Sequence, residues 1–328
     1  MKYFKKIFAF TMALAMVLSL ASCKDEPSEG GSEIENAPTV ATVQASDPDR
    51  GENKIKTAAP ERDYPFRKLS IDRSYAYEVT AEGVTSASAA DMLIKNQVSI
   101  ASLTLEDAAK VASQADVRIL AVTSEVRLSL ITNGKESKNL EALGGKTVYC
   151  GGKDTFVQTV TEKIFSDNGV RAELVFLSDS EVAAKIKSGE AENCILQEPE
   201  GIYAISQNED YIRAFEITGY WKEDFQPVSR CVVARTDFVN ANPELVKKFM
   251  THIETCVNSL CTETGAMYNT TAFIEEGYFE GTELTLSAIN STKHAYHEKE
   301  ELKEIMIANY AFAGFETAAP SDSVYYMG

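Results

Sequence analysis

The sequence predicts an α/β protein built on mainly parallel sheets. Three observations carry that expectation. Short β-branched or apolar runs alternate with segments of helical period from Thr39 onward. Glycine-containing and polar turns separate them, and cap residues stand where a turn meets a helical run. About 290 residues follow the first 38, with 44% hydrophobic residues over the chain, enough for two lobes rather than one.

The elements follow in order. Val40 to Val43 (VATV) reads as the first strand, ending in the polar turn Ser46 to Gly51. Glu52 to Arg67 is charged and weakly patterned, a poor helix or a loop. Leu69 to Ile71 and Tyr77 to Thr80 read as extended. Ser86 to Asn96 opens a helical repeat through Ala90, Leu93, Ile94 and Gln97. Val98 to Leu103 is a strand, and Thr104 caps the next helix with Asp107 three residues on. Val117 to Val122, Leu128 to Thr132 and Lys146 to Cys150 are strands, the last ending at Gly151-Gly152.

Asp154 or Thr155 then caps a helix with Val157, Val160, Ile164 and Phe165 inward, stopped by Asn168-Gly169. Leu174 to Leu177 is a strand, and Ser178 with Glu181 boxes a helix ending at Gly189. Cys194 to Leu196 runs into Gln197-Glu198-Pro199, and Cys231 to Ala234 is a further strand. Asn242-Pro243 opens a long helix whose stripe of Leu245, Phe249, Ile253, Val257 and Leu260 is core. Ligands of such sheets bind outside the carboxyl ends of the strands. That rule points to Ser46-Asp47, Ser102 to Thr104, Gly151 to Thr155 and Gln197-Glu198.

The N-terminus has the parts of an export signal: Lys2, Lys5 and Lys6, an apolar run from Ile7 to Leu20, then Leu20-Ala21-Ser22 before Cys23. The run is short for a bilayer span, so residues 1–22 read as a removed signal. Lys24 to Asn36 holds one apolar residue, Ile34, and forms a flexible acidic tether spanning roughly 20 Å. Removing the three signal lysines takes the net charge from −17 to −20. Such a surface excludes nucleic acid and anionic lipid as partners but leaves the charge of a ligand open.

Of the six cysteines, five remain besides Cys23. They are odd in number, scattered and without a CxxC pair, so free and mostly buried thiols are expected. His252 and Cys256 share a helix face, but two residues make half a metal site and core packing accounts for them; no metal or cofactor is expected. His294 and His297 read as solvated, and no hydrolase, zincin or phosphate-loop motif is present. Asp179 and Glu181 read as helix-start residues facing the dipole. The turn Gly151 to Thr155 offers backbone N–H groups at a helix N-terminus, suited to a polar or anionic ligand, and reads equally well as an ordinary capped turn.

Small residues before Cys23 resemble the lipobox of bacterial lipoproteins, which implies a diacylated cysteine and a lipid anchor on the extracytoplasmic face of the cell membrane. Met92 to Ala109 and Leu140 to Lys153 resemble the solute-binding lipoproteins of ABC importers. The likeness is to the branch that binds sulfonates, taurine, nitrate and thiamine-pyrimidine precursors. Glu198-Pro199, Arg235 to Met250 and Ser321 to Tyr326 match further phrases of that family in order. Two departures stand out: Ser46 to Gly51 replaces a glycine-rich turn, and Ser99 an acid.

The resemblance implies a type II periplasmic-binding-protein fold of two Rossmann-like lobes, 39–124 plus 227–328 and 125–226, joined by crossing segments. It also implies a monomer that closes on a small-molecule ligand and delivers it to ABC permease and ATPase subunits without catalysis. By loop position the ligand residues would be Ser46, Ser102, Thr104, Gly152, Thr155 and Glu198; Trp221 would stack on ligand or pack as core. An enzyme on the same fold, such as a dehydratase or pyrimidine synthase, is the first alternative. A surface lipoprotein with a protein partner is the second.

Overall fold

A computed structural model describes residues 54–72, 76–134, 137–314 and 321–328. They belong to one compact unit, Asp47–Gly328. The expected strand at Val40 to Val43, the tether, Cys23 and Ser46 lie outside the described residues. No helix among the described residues is long and apolar enough to cross a membrane.

The chain begins β1 (Ile55–Ala58), α1 (Tyr64–Ile71), β2 (Tyr77–Thr80), α2 (Ser86–Ile94), β3 (Ile100–Leu103), α3 (Leu105–Gln114) and β4 (Val117–Glu125). It then builds β5 (Leu128–Asn133), β6 (Thr147–Cys150), α4 (Phe156–Asp167), β7 (Glu173–Phe176), α5 (Asp179–Ser188), β8 (Asn193–Gln197), α6 (Glu200–Ile205) and β9 (Tyr211–Glu216). It continues through β10 (Val228–Arg235), α7 (Thr236–Ala241), α8 (Pro243–Leu260), α9 (Glu263–Glu275), α10 (Thr282–Ser291), β11 (Lys293–Glu298) and α11 (Lys299–Phe312).

The strands form two sheets, ordered β11-β4-β10-β3-β1-β2 and β7-β6-β8-β5-β9. Strands β1 to β4 point one way and β10 and β11 the other; in the second sheet only β5 opposes the rest. Two of the exceptions, β5 and β10, follow from how the chain passes between sheets. It leaves β4 at Glu125 and enters β5 at Leu128, which pairs with Gln197 at the carboxyl end of β8. It leaves β9 at Glu216 and returns through Val228, which pairs with Glu125 at the carboxyl end of β4. A strand entered from the carboxyl edge must run against its neighbours. The two crossings therefore tie the carboxyl edges of both sheets to one region.

The expected strands from Tyr77 onward all form. The segment Glu52 to Arg67 differs from expectation: it contains β1 and the first turn of α1, so β1 is Ile55–Ala58. Leu69 to Ile71 is helical, not extended. Asp63 caps α1 by accepting from Phe66 N–H, and Pro65 stands in the first turn, where its missing N–H costs nothing. Tyr64, Phe66 and Leu69 are buried, but so is Arg67, which breaks the apolar period.

Helix α8 buries Val246, Phe249, Met250, Ile253, Cys256, Val257 and Leu260, each large aliphatic or aromatic one worth about 1.5–3 kcal/mol. The Phe249 ring meets Tyr77 edge-on at 5.7 Å and Phe66 at 6.2 Å, fastening α8 to β2 and α1. Cys256 packs in this core, while His252 hydrogen-bonds the Tyr77 hydroxyl at 2.6 Å. The five cysteines Cys150, Cys194, Cys231, Cys256 and Cys261 are free, and all but Cys261 are buried. His294 and His297 are not solvated; both sit on β11, half-buried.

Candidate ligand-binding site

A cleft of about 670 Å³ opens where the carboxyl edges of the two sheets meet. One wall comes from the turns after β1, β2 and β3, the other from those after β6, β7 and β8; β10 and β11 supply Arg230 and His294. The volume suits one small organic molecule.

The turn after β1, Ala59 to Asp63, carries the densest chemistry. Asp63 is buried, with Oδ1 accepting from Phe66 N–H and Oδ2 from the Ser102 hydroxyl at 2.5 Å. Burial pushes its carboxyl up, against the pull of Ser102, Arg230 and Arg67. Arg62 reaches the opposite wall, pairing with Glu200 and stacking 3.8 Å above the Tyr203 ring. Tyr64 and Tyr203 exchange a hydroxyl contact at 3.3 Å. Burial likewise raises the carboxyls of Glu200 and Asp179, and each is held down in part by a nearby arginine.

The glycine turn after β6 is fully engaged. Gly151 N–H donates to Ile195 O, Gly152 N–H to Asp179 Oδ1 at 3.0 Å, and Lys153 N–H to Leu177 O. Asp154 N–H donates to Gln158, Thr155 N–H to Gly152 O, and Phe156 N–H to Glu106 Oε1 at 2.5 Å. The anion at the α4 N-terminus is thus Glu106, a carboxylate from α3 on the opposite wall. Gly152 has φ +71°, and an added Cβ would lie 2.7 Å from Val157 Cβ, so the turn itself requires glycine here. A Cβ at Gly151 would collide with the Asp179 carboxylate.

Of the residues expected at the site, Thr104, Gly152, Thr155 and Glu198 line the cleft. Thr104 caps α3, and its N–H donates to the Ser86 hydroxyl oxygen at 2.8 Å. Thr155 is the N-cap of α4, but its hydroxyl donates to Gly152 O at 2.6 Å instead of capping the helix. Glu198 is committed to its own wall: Oε1 accepts from Ser129 at 2.6 Å and meets Arg213 at 3.3 Å, while Oε2 accepts from Ile202 N–H. Ser102 is fully buried behind Asp63 and off the cleft surface. Trp221 is also elsewhere, packed edge-on to Phe225 and Phe312 with its indole N–H donating to Phe225 O. It does not line the cleft.

The sequence does not single out Arg62, Asp63, Glu106, Glu200 or Arg230, and it offers Asp179 only as a helix-start acid. A signal existed for Arg230, a lone charge at the head of the apolar run Val228–Ala234. Its Nη1 is buried and meets no hydrogen-bond acceptor among the described residues. Burial drives the His294 imidazole down to about 4, so at neutral pH it presents an uncharged ring beside Tyr64.

Solved structures share this architecture. An ABC transporter protein from Parabacteroides distasonis superposes with a TM-score of 0.68 at 16% identity, covering 84% of this chain and 99% of that one. The fold is that of the type II periplasmic binding proteins. The periplasmic aliphatic sulphonate binding protein SsuA from Escherichia coli gives 0.62 at 10% identity over 83% of this chain and 95% of that one. The periplasmic nitrate-binding protein NrtA from Synechocystis gives 0.58 at 12% identity over 82% and 83%. No protein-family model and no curated protein sequence matches the chain. A type II periplasmic-binding-protein fold accounts for a cleft between two sheet edges crossed by two strands.

Proposed function

We propose that the chain is the solute-binding component of an ABC importer, lipid-anchored through Cys23 on the extracytoplasmic face of the membrane. It captures a small polar solute between two lobes, 39–124 plus 227–328 and 125–226, and presents it to a permease driven by a partner ATPase. The observation that carries this reading is the 670 Å³ cleft at facing carboxyl edges, bridged by contacts that any opening must break. The signal-like N-terminus and Cys23 supply the anchor. Thr104, Gly152, Thr155 and Glu198 shape the cleft, with Ser102 supporting Asp63 from behind. Ser46 stays a candidate on sequence grounds alone. The reading assigns the chain no catalytic step and no cofactor.

The test has two arms. Cys23→Ala should abolish incorporation of labelled palmitate and move the protein from the detergent phase to the aqueous phase. The unsubstituted protein, incubated with a pool of small polar metabolites, should retain one molecule per chain in native mass spectrometry and release it with unchanged mass. Unchanged partitioning would remove the anchor, and steady conversion of the retained compound would make the chain an enzyme.

A further inference from the structure

Arg230 sits at the start of the crossing strand β10, between the two walls, with a buried guanidinium nitrogen that finds no acceptor. A buried donor without a partner costs roughly 1–3 kcal/mol, and more when charged, so such a group in a ligand cleft is matched by what binds there. Three carboxylates act on it through space without contacting it: Asp63, Asp179 and Glu200. Asp63 spends both oxygens on Ser102 and Phe66. Asp179 uses one oxygen on Gly152 N–H, and Glu200 one on Arg62. Their second oxygens meet no donor among the described residues, and the two acids repel each other across the lobe.

A purely anionic ligand would satisfy Arg230 but face the second oxygens of Asp179 and Glu200, because the Gly152 N–H and Arg62 engage only one oxygen of each. A pure cation would satisfy the acids and leave Arg230 orphaned. Resting on the solute-binding reading above, we propose that the cleft takes a small zwitterion, its anionic end on Arg230 and its ammonium between Asp179 and Glu200. The fork of Arg230 matches a planar carboxylate or two oxygens of a sulfonate, and the acids hold the amine as point charges. Raised carboxyl pKa values at Asp179 and Glu200 agree with this, because a bound ammonium would bring them back to the ionised form.

The experiment is calorimetric titration of the full chain with three matched series. One holds ω-amino-alkanesulfonates and ω-amino acids of two to six methylenes; the others are the same compounds without the amine, and the corresponding alkylamines. The proposal expects a zwitterion to bind best, with either truncation weakening binding at least about tenfold. Arg230→Met should weaken that zwitterion about a hundredfold, with Arg230→Lys intermediate, and the thermal midpoint of each free variant, measured alongside, separates lost binding from lost stability. Asp179→Asn should abolish the preference for the zwitterion over its amine-less analogue. An amine-less anion binding as tightly as the zwitterion would overturn the zwitterion and leave solute capture standing. Failure of every zwitterion, with another compound retained from the metabolite pool, would do the same. No compound bound in either experiment would remove both readings.

Discussion

Glu125 ends β4 at the first crossing, where Lys293 and His297 of β11 converge on it at 2.8 and 3.2 Å. Burial alone would raise its carboxyl, but the hydrogen bonds from His297 and Lys293 outweigh that and hold it below the usual range. The His297 imidazole is raised, first by its bond to Glu125 and also by Glu301 of α11, 2.9 Å from the ring. A raised histidine stabilises fully below its unfolded value, 6.5, and loses that contribution as pH climbs through its folded one. The lowered carboxyl contributes above 4.5 and fades as pH falls through its folded value. The cluster therefore holds β11 to β4 best between those limits. His297→Gln should lower stability by about 1 kcal/mol near pH 6 and by much less near pH 9, read from denaturant midpoints at both. An equal loss at both pH values would show that the charge of His297 is immaterial. Single residues were also where sequence reading fell short. Asp179 was legible as a helix-start acid, but not that it grips Gly152 N–H from the next turn, since that needs β6 and β7 side by side.

At the scale of elements, alternation and capping exposed most strands and helices, including the capped α3 and the boxed α5. The lapse came at β1 and α1. β1 has four residues, IKTA, and the turn after it concentrates Glu61, Arg62 and Asp63. Those charges line the cleft, and they hid the pattern of the elements that carry them. The same logic governs α3 and α4. Glu106, in the first turn of α3, reaches across the cleft to the N–H of Phe156 and caps a helix of the other sheet. Losing one hydrogen bond to a charged group costs about 1.5–3 kcal/mol, and here the loss falls on the bridged state alone. Glu106→Ala should therefore widen the unliganded protein, seen as a longer distance between dyes placed on α3 and α4, without lowering the thermal midpoint of either lobe. An unaltered distance would mean that Arg62 with Glu200 and Tyr203 holds the walls together unaided.

At the scale of the molecule, the two-sheet plan follows from βα repetition with two crossings, and the cleft follows from the rule that ligands meet the carboxyl edges. Which groups face which across that cleft depends on long-range register. Arg230 shares the cleft with Asp63, Asp179 and Glu200 only because β10 starts at the edge where three distant turns converge. The net charge of −17 gives no hint of a cationic centre inside an acidic cleft. Neutral and acidic surfaces alike can enclose one, because a pocket's field is set by groups within a few ångströms and screened beyond about 10 Å. Capture and delivery of a solute is the proposed role of the whole molecule. The decisive measurement is uptake of the retained compound, isotopically labelled, into cells lacking this chain. Uptake should be lost on deletion, restored by the unsubstituted chain, and not restored by Arg230→Met at equal abundance. Uptake undiminished by the deletion, or restored equally by Arg230→Met, would contradict it.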